Sequence, residues 1–256
     1  MKTFHVDPRP GPTVIAAQAG KGDEFSLASM IVRAVGAYGL DISAIKPRLL
    51  ISPPNLKLDH TQTHSFGLPA AFACPGRGVC ARSCLALNAH YVSRTVARAR
   101  ISNLMWIAEH GYEKFQKVMR SMIETEGIET FRWHDSGDFF SQEYLDAVIR
   151  IMWLLPDVLF YCYTKSLHLN WSGILGLENF NRVQSYGGRH DNFIDRTRPH
   201  SVVVDSWEGV EHWMGKGYTY GSISELPAIN RERDVVGIVL MDTVRKAQIK
   251  KRLEEV

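Results

Sequence analysis

Three of the four cysteines in this 256-residue chain lie close together, in the segment "ACPGRGVCARSC". They are Cys74, Cys80 and Cys84, and their spacing is C-x5-C-x3-C. One proline and two glycines predict a loop, and such a loop can wrap three thiolates around one soft metal centre. We therefore predict that these cysteines are metal ligands. The alternative is that they are small buried side chains.

The choice of metal depends on whether a fourth ligand exists. Structural zinc usually takes four protein ligands, and Cys162, His90 or His134 could complete such a set. His60 and His64 are further candidates because they lie near the cysteines in the sequence. An iron–sulfur cluster can instead be held by three cysteines and keep one iron open to a substrate or cofactor. The triplet therefore favours an iron–sulfur cluster, with zinc as the alternative, and Cys162 is expected in the core of a buried strand.

A second polar group, "HDSGD" at 134–138, lies between a predicted strand and a predicted helix. His134 and Asp135 are candidates for proton transfer. Ser136, Gly137 and Asp138 are candidates for binding a cofactor, with Asp138 on a cationic amine and the glycine allowing close approach. The alternative is that Asp135 and Ser136 only cap the helix that follows.

Two later strand ends carry further candidates. Thr164 and Lys165 follow the apolar run "LFYCY". Thr164 is a candidate for binding a cofactor, and Lys165 is a candidate catalytic residue that would pair with an acidic ligand or phosphate. In "GGRHD", the backbone of Gly187 and Gly188 and the guanidinium of Arg189 could bind a carboxylate or phosphate. A solvated lysine and an ordinary glycine turn are the alternatives.

Basic residues follow the cysteines on a predicted helix. Arg94 and Arg98 are one turn apart, and Arg100 lies near them, so the three could contact phosphates of a nucleotide or nucleic acid. A solvated basic face is the alternative. The net charge of +3 is too small to identify a nucleic-acid partner by itself.

The elements that must position these groups are clearest in the middle of the chain. "TFRWHD" is a predicted strand, "SQEYLDAVIRIMWLL" a helix with Ser141 as its N-cap, and "DVLFYCYT" a buried strand. A strand–helix–strand unit of this kind makes its two strands parallel. The carboxyl ends of parallel strands share one edge of a sheet, so the polar loops are expected to meet there.

The remaining patterns extend this alternation of strands and helices. Further strands are predicted at 48–55, 181–186, 201–206 and 235–241, and further helices at 25–40, 92–126, 207–217 and 243–256. The long helix is expected to break near Gly111 and to stop at Gly127. We predict an α/β fold with one parallel sheet, forming a complete or incomplete (β/α) barrel, or an open sheet.

Composition limits the setting. No apolar span approaches the roughly 20 residues that a membrane helix needs, so we expect no membrane partner and a cytoplasmic location. Cytosolic thiols stay reduced, which argues against disulfides. We expect a single α/β barrel-like metal-binding domain at 49–256, with an N-terminal helical or irregular segment at 1–48 packed on it.

Several of these stretches together resemble a bacteriophage family, gene product eighty-eight. The resemblance rests on "CPGRGVCARSCLALNAHY", "FRWHDSGDFFSQEYLDAVIRI", "PDVLFYCYTKS" and "SYGGRHDNFID", in this order. It implies a phage or prophage protein acting in an infected host cell. It marks nine motif positions without assigning their roles: Cys74, Cys80, Cys84, His134, Asp135, Gly137, Asp138, Thr164 and Lys165.

A looser resemblance is to radical S-adenosylmethionine enzymes. In those barrels three cysteines follow the first strand, and a glycine-rich segment after the second strand holds the methionine amine. In this chain a cysteine loop, a helix and a strand that ends in "SGD" follow one another in the same order, with Asp138 in the last segment. The cysteine spacing differs, because those enzymes usually have C-x3-C-x2-C and this chain has C-x5-C-x3-C. "DSGDFF" also resembles a segment of tRNA-guanine transglycosylases, which are barrel enzymes with a zinc site. In those enzymes the zinc ligands follow the catalytic strands, whereas in this chain the cysteines precede them.

The hypothesis from the sequence is a phage metalloenzyme with an iron–sulfur centre that acts with S-adenosylmethionine on a nucleotide or nucleic acid. One alternative is a transglycosylase-like base exchange on DNA, with Asp135 in the site and structural zinc. The other is a zinc-stabilised module that binds nucleic acid or a host protein without catalysis.

Overall fold

Parallel strands form the centre of the molecule, as the strand–helix–strand pattern predicts. The computed structural model describes residues 24–54, 61–80, 84–87, 93–202, 207–221 and 235–237. Five strands pair in parallel and in chain order: β1 (His64–Phe66), β2 (Thr130–Trp133), β3 (Leu159–Thr164), β4 (Phe180–Ser185) and β5 (His200–Ser201). Two further strands, β6 (Thr219–Gly221) and β7 (Val235–Gly237), pair with each other in parallel.

In the described part of the chain, four α-helices accompany the strands: α1 (Leu27–Ala37), α2 (Arg94–Thr125), α3 (Gln142–Leu154) and α4 (Trp207–Met214). Short 3-10 helices occur at Ile42–Ala44, Leu85–Leu87, Ser172–Ile174 and Asp191–Phe193. No helix within the described ranges is long and apolar enough to cross a membrane.

Local signals determine where the helices begin and end. The Ser141 hydroxyl accepts a hydrogen bond from the main-chain nitrogen of Tyr144 at 3.2 Å and caps α3, as predicted. Gly111 has a φ of 74° and a ψ of 171° inside α2, which confirms the predicted break. Gly127 has a φ of 61° just beyond the end of that helix, a conformation that favours glycine.

Helices α1 to α3 cover one face of the sheet. Phe131, Trp133 and Phe160 point into this face and share one buried core with side chains of all three helices. Because residues alternate along a strand, Tyr161, Tyr163 and neighbours such as Val183 point to the opposite face. The proposed division of the chain at residue 48 stays a prediction, although α1 belongs to this same core.

The strand predicted at 48–55 is wrong. Of its described positions, 48–54, only Ser52 pairs, through an isolated antiparallel bridge to Ser65. Two prolines end the segment, and its backbone instead bonds to the side chains of Ser102 and Asn103 on α2, at 2.7 Å in each case. The sheet begins with the short strand β1 in the following segment.

The fold class is α/β with a five-stranded parallel sheet. Among the described residues this sheet is open, and its closure into a barrel is not seen. Strand β4 and helix α4 lie where the sequence predicts them. Of the strands predicted at 201–206 and 235–241, the structure describes Ser201 and 235–237 as strand; positions 203–206 and 238–241, and the C-terminal helix predicted at 243–256, lie outside the described residues.

Candidate functional site

The polar loops that follow β1 to β4 meet at the carboxyl edge of the sheet, and the cysteine loop lies across them. We define the cysteine loop as residues 73–84, of which 81–83 are outside the described residues. Its main chain bonds to two neighbours: Asp138 N donates to Ala73 O at 2.8 Å, and Cys80 N donates to Gly187 O at 3.0 Å. Arg189 N also donates to its Gly76 O at 2.9 Å.

Two glycines of the cysteine loop permit this close docking. A Cβ atom on Gly76 would lie under 3.0 Å from the carbonyl oxygen of Lys165, and one on Gly78 would lie under 3.0 Å from the main chain of Gly188. Side chains at these positions would force the loop away from β3 and β4. The glycines therefore serve close approach as well as the turn that the sequence predicts.

The three thiols of the loop belong to one electrostatic environment. Cys74, Cys80 and Cys84 are reduced and partly exposed. Burial raises the pKa of Cys74, and negative charge on Asp138 and Cys84 raises it further. Burial also raises the pKa of Cys84, while the Lys165 ammonium opposes that change. Among the described residues, no three Cys, His, Asp or Glu side chains are grouped closely enough to hold one ion.

Asp138 is engaged by the chain itself. One carboxylate oxygen accepts from the Thr164 hydroxyl at 2.7 Å and from Phe139 N at 2.8 Å, and the other accepts from Lys165 N at 2.8 Å. The side chain is buried, and burial raises its pKa. Asp138 therefore joins the loop after β2 to the end of β3.

Asp135 forms a buried ion pair with Arg100 of α2, beside Gly67. Burial raises the pKa of Asp135, and the guanidinium of Arg100 counteracts this. The second carboxylate oxygen, Oδ1, has no hydrogen-bond partner in the described structure. Arg94 and Arg98 are exposed on α2, so of the three arginines proposed for phosphate only Arg100 is committed to the interior.

His134 lies in the aromatic core rather than at the mouth of the sheet. It is buried, its φ is +60°, and its Nε2 lies 2.9 Å from the Tyr144 hydroxyl. Its ring meets the Phe139 ring edge-on, with 4.4 Å between centroids. Burial lowers its pKa from 6.5 to about 3, helped by the charges of Arg132 and Arg100, so the imidazole is neutral near pH 7.

The capping alternative for Asp135 and Ser136 is wrong. Ser141 caps α3, whereas Ser136 donates its hydroxyl to the carbonyl of Leu68. The main chain of this loop also pairs with the end of β1, because Asp135 N donates to Phe66 O at 3.1 Å. These bonds hold the loops after β1 and β2 side by side. Gly137 lies between them with a φ of 79°.

The remaining strand-end residues differ in how many of their polar groups are already bonded within the chain. Lys165 is partly exposed, and its ammonium donates to the Ser185 hydroxyl. The main-chain nitrogens of Gly187 and Gly188 both donate to the carboxylate of Asp191 at 2.9 Å, so this chain supplies its own anion there. The Arg189 side chain is exposed.

Among the additional candidate ligands, Cys162 is fully buried in the helix-covered core, as expected. His64 lies on β1, whereas His60 and His90 lie outside the described residues. Sequence reasoning missed Asp191 as an internal anion, although its position a few residues after two glycines was a local signal. It had no signal for Tyr144 as the partner of His134.

Comparison with known proteins places the chain in a family. The family described as Gene product 88 matches residues 44–251. The Gene 88 protein of Mycobacterium phage L5 is 28% identical over 113 residues, which cover 40% of this chain and 47% of the phage protein. The match thus spans less than half of that relative. No solved structure matches the chain. The chain belongs to the gene product 88 family, a bacteriophage protein family.

Proposed function

We propose that this protein is a metalloenzyme that binds an iron–sulfur cluster through Cys74, Cys80 and Cys84 and acts with S-adenosylmethionine. The observation that carries the proposal is the docking of the cysteine loop. Main-chain bonds fix this loop across the ends of β2 and β4, so its three thiols lie where the loops of a parallel sheet meet. Chemistry in such folds is concentrated at this edge.

The strand order supports an incomplete (β/α) barrel as the scaffold. Strands β1 to β5 follow one another in space as they do in the chain, and α1 to α3 pack on one face. A barrel wall is built in this way, with helices outside and the opposite face of the sheet inside. Tyr161 and Tyr163 would then face the interior of the barrel.

The donor set fits a cluster better than a closed zinc site. Three cysteines from one loop match the ligand number of a cluster with one open iron, whereas structural zinc usually takes four protein ligands. Among the described residues no three Cys, His, Asp or Glu side chains, these three thiols included, are close enough to hold one ion, so the ligand types and not their present spacing support the proposal. Burial raises the pKa of Cys84, and the positive charge of Lys165 only partly opposes this, so metal binding would have to displace the thiol proton. When bound, such a cluster supplies electron transfer to S-adenosylmethionine.

Within this proposal the strand-end residues take roles that differ from the first expectations. Asp138 is a positioning residue, because its carboxylate is already bonded to Thr164 and to the main chain of Lys165 and Phe139. His134 is neutral and buried, which suits support of the loop rather than proton transfer. Lys165 is the partly exposed group left to move a proton or hold an acidic ligand. A transglycosylase-like role for Asp135 gains no support from its pairing with Arg100.

The test is anaerobic purification of the full chain followed by iron, sulfide and zinc analysis and a visible absorption spectrum. We expect a brown protein with stoichiometric iron and sulfide. Separate Cys74→Ala, Cys80→Ala and Cys84→Ala variants should lose both. Cys162→Ala is the matched control and should keep them, because Cys162 lies in the core.

Each other outcome is informative. A colourless protein with zinc would overturn the iron–sulfur proposal in favour of the zinc-stabilised binding module. A protein with neither metal, or loss of iron only in Cys162→Ala, would refute the assignment of the cysteine loop. If iron binds but S-adenosylmethionine does not alter the spectrum of the reduced protein, the cofactor assignment fails.

A further inference from the structure

We propose that a second site, beside β5, binds a nucleoside phosphate, either as a free nucleotide or as a unit of a single-stranded nucleic acid. The site is a cavity of about 440 Å³ between the segment before β5 and the end of α4. Small-molecule sites are roughly 300 to 1,000 Å³ in volume, so a nucleotide fits this size class. The cavity is lined by Arg196, His200, Trp213, Lys216, Gly217 and Tyr218.

The charges at this cavity suit a phosphate. Arg196 and Lys216 are exposed, and neither forms an ion pair with an acidic side chain among the described residues. Asp195, beside Arg196 in the chain, already accepts hydrogen bonds from the main chain and hydroxyl of Thr197. Two cations that have no carboxylate partner within the described part of the chain give a positive field, which attracts phosphate strongly.

The aromatic rings of the cavity suit a base. The Trp213 and Tyr218 rings meet edge-on with 4.8 Å between centroids, and the Tyr186 ring lies 5.5 Å from that of Trp213. The Lys216 ammonium stands 4.7 Å from the centre of the Trp213 ring. Sites for single-stranded nucleic acid combine cations on the backbone with aromatic side chains that stack on bases. A phosphate alone would need only the cations.

A buried histidine, His200, positions the Tyr218 side chain of this cavity. His200 is 4% exposed, and its Nδ1 lies 2.8 Å from the carbonyl oxygen of Arg198. A carbonyl can only accept, so Nδ1 donates to it, and Nε2 of the same ring lies 2.8 Å from the Tyr218 hydroxyl. This fixes the Tyr218 side chain against the wall of the cavity. Arg196 is held in turn by the Tyr186 hydroxyl, to which its Nε donates at 3.2 Å.

The cavity is connected to the cysteine loop through two consecutive residues. Tyr186 contacts Trp213 and His200, and the next residue, Gly187, accepts the hydrogen bond of Cys80 N. If the cavity holds the substrate of the proposed enzyme, that assignment rests on the proposed function. Binding of the nucleoside phosphate itself does not depend on a metal.

The experiment measures binding by the full chain. The probe is a fluorescently labelled short oligothymidylate, followed by anisotropy, with thymidine 5′-monophosphate as competitor. Lys216→Gln and Arg196→Gln should each weaken binding about tenfold and reduce the slope of log K against log salt by about 1. Trp213→Ala should weaken it by roughly 5- to 100-fold, because a base loses its stacking partner.

Matched controls remove the same charges elsewhere. Arg198→Gln, two residues from Arg196 and outside the cavity lining, and Lys114→Gln on α2 should change binding less than twofold. Competition by the monophosphate identifies a free nucleotide as a ligand, and binding of the oligonucleotide without competition identifies a single strand. No binding of either probe, or equal loss in cavity and control variants, would overturn the proposal.

The proposed function and this inference fail separately. Cys74→Ala should lose iron but keep probe binding, whereas Lys216→Gln should lose probe binding but keep iron. A wild-type protein that binds the probe but contains no iron would refute the cluster and leave the assignment of the cavity unchanged.

Discussion

Two neighbouring loops at the carboxyl edge use their titratable side chains in different ways. The loop after β2, residues 134–138, has main-chain bonds too, but most of its polar side chains also fasten it: His134 bonds to Tyr144, Asp135 pairs with Arg100, and Asp138 accepts three hydrogen bonds. The cysteine loop is held by its main chain, through Ala73, Gly76 and Cys80, and by the side chain of Arg77, which bonds to Ala71 O and pairs with Glu24. Both loops are rich in groups that could do chemistry.

The difference separates the side chains that fasten these loops from those that do not. Side chains that fasten a loop are already occupied, so the "HDSGD" segment is chiefly a support. The main-chain bonds that fix the cysteine loop do not involve its thiols. The contrast predicts that truncations in the first loop reduce stability, whereas thiol truncations reduce metal binding instead.

The largest expected effect on stability is that of Asp138→Ala. The substitution leaves the Thr164 hydroxyl and two main-chain nitrogens without their acceptor. Each buried donor without a partner costs about 1 to 3 kcal/mol, so we expect the free energy of unfolding to fall by about 3 kcal/mol or more. Urea denaturation followed by tryptophan fluorescence measures it. Asp157→Ala, at an exposed position, is the control, and equal curves for the two variants would refute the fastening role.

Gly76→Ala tests the main-chain docking of the cysteine loop. The added methyl group would meet the carbonyl of Lys165, and overpacking of this kind costs roughly 1 to 3 kcal/mol. Gly36→Ala is the matched control, since a Cβ there meets nothing within 4 Å in helix α1, and it should stabilise the protein by about 0.5 to 1 kcal/mol. A Gly76→Ala protein as stable as Gly36→Ala would mean that the loop does not need this contact.

His134 should make stability depend on pH. Its pKa of about 3 in the folded protein lies below the 6.5 of the unfolded chain, so its contribution is complete above pH 6.5 and is lost as the pH falls towards 3. The slope due to this residue is about 1.4 kcal/mol per pH unit. His134→Asn tolerates the positive φ and should flatten the curve measured by urea denaturation from pH 7 to pH 4.

The control for this measurement is His212→Asn on α4, which should leave the slope of the wild-type protein unchanged. A His134→Asn protein that keeps the full slope would show that another group causes the pH dependence.

The smallest effect on stability is expected for Cys80→Ala in metal-free protein. The side chain is partly exposed, and the main-chain bond from Cys80 N to Gly187 O survives the change. We expect less than about 0.5 kcal/mol of destabilisation in urea denaturation. Cys162→Ala should cost more, because that thiol is fully buried. A large loss for Cys80→Ala would remove the contrast between the two loops.

Features with local causes could be read from the sequence. The Ser141 cap, the break at Gly111 and the parallel pairing of β2 and β3 follow from a few neighbouring residues and from strand–helix alternation. The meeting of three polar loops at one edge followed in turn from parallel pairing. The strand predicted at 48–55 failed because side chains of α2, about 50 residues away, took its hydrogen bonds.

The sequence by itself determined the α/β class and which loops share an edge, because periodicity and turn residues act over short distances. Only the tertiary structure decided which polar groups of that edge are already used. Asp138 meets Thr164 and Asp135 meets Arg100 across 26 and 35 positions of the chain, and such pairs depend on packing rather than on spacing. The same packing brought Arg196, Trp213 and Lys216 around one cavity.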